Sequence, residues 1–403
     1  MKQSKPKLPL EGLKILDTAT MLAAPWSATF LADYGADVIK IEHPETGCTA
    51  RKYGKQKNGI GILWKTLNRN KKGITLNLGQ PEGQHIFKRL VAEADIVIEN
   101  YRPGTFEKWG LGYDVLANIN PSLIMLRTTG YGQSGPYSDR GGFGTVAEGM
   151  SSFASINGPA DGPPTLPGMA LADGVNGAFG ALAIMTAIYE RDRHPQRLGQ
   201  CIDISLYEPL MRLIEPHITA YDQLGVIPPR VGNGSVSIAP RNAYQTKEGR
   251  WVALSGAAQP IVEKLFKAIG REELITDERF VNNAARVKNC KELDAIISGW
   301  IGKRELSEVV TTLTGSGAVV GPMYDVSQVF DDPHYLYRES FVTLPDADFD
   351  QIRVPNVVAK FSRTPGQVRS PGPAKGQHNQ EIYGEKLGLS EAELTELKDK
   401  KII

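Results

Sequence analysis

PGMALADGVNGAFGALAIMTAIYERDRHPQRLGQCIDISL, residues 167–206, is the stretch around which the chain is organised. Leu171-Ala172-Asp173-Gly174 ends an irregular segment rich in proline and glycine and opens a helix. Phe179, Leu182, Met185 and Tyr189 recur at helical spacing, while Ala178, Ala181, Ile184 and Ile188 fill the remaining faces. Such a helix is expected to be apolar all round and buried. Gly174, Gly177 and Gly180 lie in its first turns, where glycine weakens a helix, so something is expected to approach that backbone closely. Beyond Gly199, Ile202, Ile204 and Leu206 alternate with Asp203 and Ser205, the pattern of a strand with one wet face.

Asp173 stands at the mouth of this helix, beside free backbone N–H groups and the positive end of the dipole. An aspartate there is most often an N-cap. A chemical role is the other reading, and the two do not exclude each other.

Upstream, short apolar runs at Leu13–Asp17, Asp37–Glu42, Gly73–Leu78, Asp95–Asn100 and Leu123–Thr128 read as strands. Helical patterns at about Pro25–Tyr34 and Pro81–Ala94 lie between them. This alternation predicts an α/β fold with a doubly wound, Rossmann-like parallel sheet, which binds ligands at the carboxyl ends of its strands. The ligand is not a dinucleotide. The turn from Asp17 to Pro25 has no glycine, and the GxGxxG at Gly130, Gly132 and Gly135 runs into Pro136 and a loop, with no helix to receive a pyrophosphate. Downstream, Tyr207–Leu224 is helical with a kink expected at Pro216, and Gly225–Arg241 is a loop. Asn242–Gln245 and Trp251–Leu254 read as a hairpin, helical patterns follow, and a capping box at Ser390 and Glu393 starts the last helix.

A chain of 403 residues exceeds the roughly 250–300 that one core supports, so two domains are expected. A net charge of +1 without a basic run gives nucleic acid and anionic membranes no handle. Met1–Pro9 lacks the apolar core of a signal peptide, and no uncharged apolar run reaches about 18 residues, so neither secretion nor a membrane span is expected. Cys48, Cys201 and Cys290 form no disulfide framework or zinc pattern, which points to a reducing, cytoplasmic setting. The six histidines show no metal-ligand spacing, and no GxSxG is present. What remains is Asp173 and a series of basic and amide groups read as lying at strand ends: Arg51, Asn70-Lys71-Lys72, Asn100-Tyr101-Arg102, Lys108, Arg127 and Arg140. Together they form a cradle for a multiply phosphorylated ligand.

Five segments carry a resemblance: Leu10–Asp17 (LEGLKILD), Gly35–Glu42 (GADVIKIE), Asn68–Lys72 (NRNKK), Asn100–Gly104 (NYRPG) and Ala172-Asp173-Gly174. The chain resembles the family III CoA-transferases, typified by formyl-CoA transferase and carnitine CoA-transferase, nearly end to end. The resemblance implies that Asp173 is the nucleophile. It also implies CoA contacts at Leu22, Ala23, His43, Leu76, Asn77, Asn100, Tyr101, Arg102, Lys108, Gly141, Gly142 and Phe143, with CoA or acyl-CoA as substrate and no tightly bound cofactor or metal. His43 replaces an arginine of some relatives. Val231–Arg241 replaces the glycine-run loop of formyl-CoA transferase, which argues against formate and oxalate. The expected layout is a large CoA-binding domain at 1–206, a linker at 207–241, a small α+β domain at 242–330, a return linker at 331–376, and a C-terminal segment at 377–403 packed on the large domain. Two such chains are expected to thread through each other as an interlocked homodimer, or to pair with a paralogous subunit.

The reaction implied moves CoA from an acyl-CoA, with succinyl-CoA a candidate, to a carboxylic acid through an aspartyl–acyl anhydride and an aspartyl–CoA thioester. An Arg241 fork would suit a dicarboxylic acid. Two rivals share the fold. A 2-methylacyl-CoA racemase needs a histidine and an aspartate where this chain has Phe143 and Gly144. A non-catalytic partner subunit would have no use for Asp173 and its glycines.

Overall fold

Six strands make one parallel sheet: β1 (Lys14–Asp17), β2 (Asp37–Glu42), β3 (Lys71–Thr75), β4 (Ile96–Glu99), β5 (Ile124–Thr129) and β6 (Cys201–Ser205). Their order is β3-β2-β1-β4-β5-β6, the doubly wound arrangement, with its reversal between β1 and β4. The chain is seen in a computed structural model that describes residues 7–403. In the register, Asp17 lies opposite both Lys40 and Ile98.

The central strands are apolar runs because helices cover both faces. These helices include α1 (Ala23–Asp33), α2 (Pro81–Val91) and α4 (Leu171–Arg191), and α3 (Gly144–Met150) packs on α4. Leu16, Ile39, Val97 and Met125 face α2 and a C-terminal segment that contributes Tyr383, Leu394 and Ile402. Ile15, Val38, Ile96, Ile124 and Leu126 face α1 and α4. The chain divides into two compact units. The sheet belongs to the one made of residues up to Phe153, Pro167–Thr219 and Leu336–Ile403. Its Phe341–Asp346 and Asp350–Pro355 pair as an antiparallel hairpin. The other unit, Ala154–Leu166 and Ala220–Tyr335, has a three-stranded antiparallel sheet built on the expected hairpin, Arg241–Gln245 with Trp251–Ser255. Its core gathers Val252, Phe266, Phe280, Ile297 and Leu313.

Two expectations need correction. The helix after Tyr207 is two helices, Glu208–Leu213 and Glu215–Leu224, because Pro216 occupies the second position of a new helix, where its missing N–H goes unneeded. α4 is buried along one stripe only, through Ala172, Asn176, Gly177, Gly180, Ile184 and Ala187, while Leu182 and Tyr189 are each 61% exposed. By length and composition α4 is apolar enough to cross a membrane, yet that stripe packs on α1 and buries Asn176 and Arg191. The glycines do receive a close neighbour, and it is α1. A Cβ on Gly177 would fall 2.6 Å from Trp26 Cβ, and one on Gly180 would fall 2.4 Å from Ser27 Oγ. Ser27 Oγ donates to the Gly177 carbonyl at 3.0 Å.

Candidate active site

The site is built on the loop that follows β1. Asp17 is fully buried at the strand's end and accepts from Lys40 Nζ at 3.2 Å and Lys71 Nζ at 2.8 Å. Burial alone would raise this carboxyl; the two ammonium groups outweigh burial and hold it below the usual carboxylate range. Burial pushes the Lys71 ammonium down to about 8. Lys40 donates onward to the Ala19 carbonyl and Lys71 to the Pro25 carbonyl, so the network pins both ends of the loop. Within it, Met21 adopts a φ of 60°, a conformation few side chains accept. Asn100 closes on the same loop: its Oδ1 accepts from Thr20 N–H, and its Nδ2 donates to the Thr20 carbonyl, both at 2.7 Å.

Beside this loop is a cavity of about 360 Å³ at the carboxyl ends of the strands, lined by Leu22, Ala23, Asn100, Tyr101, Arg102, Gly141, Gly142, Phe143 and Asp173. The structure therefore brings eight of the twelve expected CoA contacts together with Asp173. The other four lie elsewhere. Leu76 is in the hydrophobic core, and Asn77 bonds through its N–H to the Ile402 carbonyl at 2.7 Å. His43 accepts through Nδ1 from the Glu45 and Thr46 N–H groups, and Lys108 is exposed away from the cavity lining. A larger recess of about 570 Å³ lies beside Lys72, Asp346 and His378, but its acids are already paired with Lys65 and Lys72.

The expected phosphate cradle is mostly spent on structure. Arg51 is locked to Glu42 by two bonds of 2.7 Å and stacks on Trp64. Arg127 holds Glu99 and Glu107, each at 2.6 Å. Lys71 is buried, and Lys72 pairs with Asp37 and Glu381. Both lysines open β3, and Lys71 spends its ammonium on Asp17 and the Pro25 carbonyl beneath the loop rather than in the cavity. What stays available is Arg102, exposed and without an ion pair among the described residues, and Arg140, stacked on Tyr137. Arg102→Ala is expected to raise KM about 10- to 100-fold for every acyl-CoA donor, and to leave the acceptor KM nearly unchanged, in steady-state assays that vary each substrate. An unmoved donor KM would remove Arg102 from the CoA site.

Asp173 is not the N-cap. That position is Ala170, and Asp173 is the third residue of α4. Its carboxylate instead lies against its own backbone N–H and that of Ala23, both of which favour its charge. Burial first, and then the nearby Glu148 charge, push the Asp173 carboxyl up to about 6. The space it occupies exists because residue 144 is glycine: a Cβ there would fall 2.3 Å from Asp173 Oδ2. Gly130 and Gly142 likewise meet backbone to backbone, a Cβ on either falling 2.6 Å or less from the other's Cα. The GxGxxG run therefore serves loop packing.

Sequence reading missed Glu148, Thr128 and Thr129. Glu148 gave no local signal. Gly144 was read as the end of the Gly141-Gly142-Phe143-Gly144 loop against CoA and as a departure from a histidine–aspartate pattern, not as the gap that admits the Asp173 carboxylate. Thr128 and Thr129 line the cavity with buried hydroxyls that have no partner among the described residues. The period-2 alternation of β5 could have indicated Thr128, which shares the face of Ile124 and Leu126 toward α1 and α4.

A doubly wound, Rossmann-like sheet with a carboxylate in a cavity at its strand ends is the layout of an α/β ligand-binding site. A family model for CoA-transferase family III matches residues 10–379. The chain is 40% identical to succinyl-CoA–D-citramalate CoA-transferase of Chloroflexus aurantiacus, over the whole of both chains. It is 38% identical to the beta subunit of that organism's succinyl-CoA–L-malate CoA-transferase, over 98% of each. A CAIB/BAIF family protein from Brucella suis superimposes with a TM-score of 0.84 at 32% identity, over 94% of this chain and 99% of that one. The chain belongs to CoA-transferase family III, and it is a CoA-transferase.

Proposed function

We propose that this enzyme moves CoA from succinyl-CoA to a second small carboxylic acid, with Asp173 as the covalent carrier. The observation that carries the reading is the Asp173 carboxylate itself, set in the cavity wall with its pKa raised to about 6. It is ionised at neutral pH and more basic than an ordinary aspartate, as a nucleophile should be. Succinyl-CoA as donor is supported by the names of the two Chloroflexus relatives.

In the first step an Asp173 oxygen bonds to the thioester carbonyl carbon, the C–S bond breaks, and CoA leaves as thiolate. The thiolate then attacks the aspartyl carbonyl of the mixed anhydride, expelling succinate and leaving Asp173 as a CoA thioester. The acceptor carboxylate attacks that thioester, and the two steps run in reverse. Attack on the aspartyl carbonyl puts the oxyanion on an Asp173 oxygen, where the Ala23 N–H already points. One such preorganised donor is worth about 3–4 kcal/mol. N–H groups near the α4 glycines are not available for this role, since α1 fills the notches at Gly177 and Gly180. Arg102 holds CoA from the rim, and the hydroxyls of Thr128 and Thr129 offer donors to the substrate.

The racemase reading has no support here, since Phe143 and Gly144 supply neither acid nor base. Arg241 is turned to its own loop, donating to the Asn233 and Gly234 carbonyls, so it does not support a choice of dicarboxylic acid. For assembly we favour the threaded homodimer. A relative named as a beta subunit makes pairing with a paralogue the second reading. The exposed Cys201 thiol suits a reducing cytoplasm.

The test is the pH dependence of succinyl-CoA turnover. The reacting form is the carboxylate, so kcat/KM is expected to be flat above pH 7 and to fall tenfold per unit below a midpoint near the Asp173 value of about 6. A profile flat down to pH 4.5 would rule out this carboxylate as the attacking group.

A further inference from the structure

Glu148 is 3% exposed, yet its charge has no cation partner among the described residues. Its Oε1 accepts from the first two N–H groups of α4, Leu171 at 3.1 Å and Ala172 at 3.2 Å. Gly144 and Glu148 are four residues apart on α3 and so share a face. The Gly144 end of that face lies against Asp173 Oδ2, and the Glu148 end lies against the residues just before Asp173.

We infer that Glu148 is a positioning residue for Asp173: it occupies the N–H groups at the start of α4 and keeps a negative charge beside the reacting carboxylate. This rests on the reading of Asp173 as nucleophile. An aspartate in the first turn would normally bond to the free N–H groups at a helix start, where the dipole also lowers its basicity. Glu148 takes those donors first. Asp173 is then left with its own N–H, the Ala23 N–H and the cavity, and the first two donors of the helix end are met by another carboxylate. The same occupancy denies the helix end to the free carboxylates of donor and acceptor acids.

The other ionisable groups at the cavity are Arg102 and Arg140 on its rim and Tyr101, whose hydroxyl donates to the Thr18 carbonyl. All three are unchanged by a substitution at 148. Glu148→Gln keeps an acceptor oxygen for the two N–H groups and removes the charge. In this variant the acid limb of the kcat/KM profile is expected to move down by about one pH unit. The Asp173 carboxyl carbon, followed by 13C NMR with labelled aspartate and assigned by its loss in Asp173→Asn, should titrate lower by the same amount. Glu148→Asp, which restores the charge, should bring both midpoints back toward wild type. An NMR midpoint unmoved in Glu148→Gln overturns the inference. Because the NMR titration needs no turnover, that failure is distinct from the failure of the nucleophile reading, which residual transfer by Asp173→Asn would reveal.

Discussion

Asp173→Asn is expected to fold, bind CoA and lose CoA transfer by at least about 10⁴-fold, because an amide cannot form the anhydride. With succinyl-CoA and no acceptor, hydroxylamine should trap the wild-type enzyme at Asp173 alone. Substantial transfer by the variant, or trapping elsewhere, would leave the fold and remove the mechanism. The same variant carries a stability signature with a definite sign. In the folded chain the Asp173 carboxyl sits at about 6, above the 3.8 of an ordinary aspartate, because burial and then Glu148 disfavour its charge. The folded state therefore binds this proton more tightly than the unfolded chain, and the native state loses stability as pH rises from about 4 to above 6. Asparagine escapes that loss. It is expected to be more stable than wild type by about 1–3 kcal/mol at pH 8, and to lose the advantage near pH 4, in urea melts at the two pH values. Under the proposed mechanism, the Asp173 charge would be kept for its chemistry at some cost to the fold.

Gly144→Ala is expected to be nearly as damaging to turnover, at about 10²-fold or more in kcat, with no loss of stability. Residue 144 begins α3 with negative φ, so alanine suits the backbone and favours the helix. The added methyl would sit 2.3 Å from Asp173 Oδ2 and 3.3 Å from its Cγ, so the carboxylate must rotate away. An ordinary glycine loses flexibility when replaced; here the substituent strikes the reacting group. CoA binding by calorimetry and thermal melting should both stay close to wild type while turnover falls. Full activity in this variant would show that the Asp173 side chain works from another rotamer.

Much of the fold was legible because its signals are local. Asp37–Glu42 reads as a strand and is one, since an apolar run between turn residues needs no distant partner to be recognised. Gly35, with φ of 106°, ends α1 where a left-handed residue is needed, and the Ser390–Glu393 capping box forms as read. Asp173 was legible too, through its place between a proline- and glycine-rich segment and an apolar helix. Its surroundings were not. The arginines and lysines at supposed strand ends looked alike in sequence, and their fates were set by acids brought alongside them in the fold. Arg127 meets Glu99 because β4 and β5 are parallel neighbours that place the two side by side.

The sequence by itself therefore determined the α/β alternation, the doubly wound class and the placing of Asp173 in the first turn of α4, because periodicity and helix-opening chemistry are properties of contiguous residues. Only the tertiary structure decided that α1 fills the glycine notches of α4, that Arg102 stays free while Arg51 and Arg127 are committed, and that Glu148 rather than Asp173 holds the helix start. Each of these is a competition among groups tens of residues apart for the same donor, charge or space. Such competitions are settled by strand register and helix packing, which no local pattern encodes.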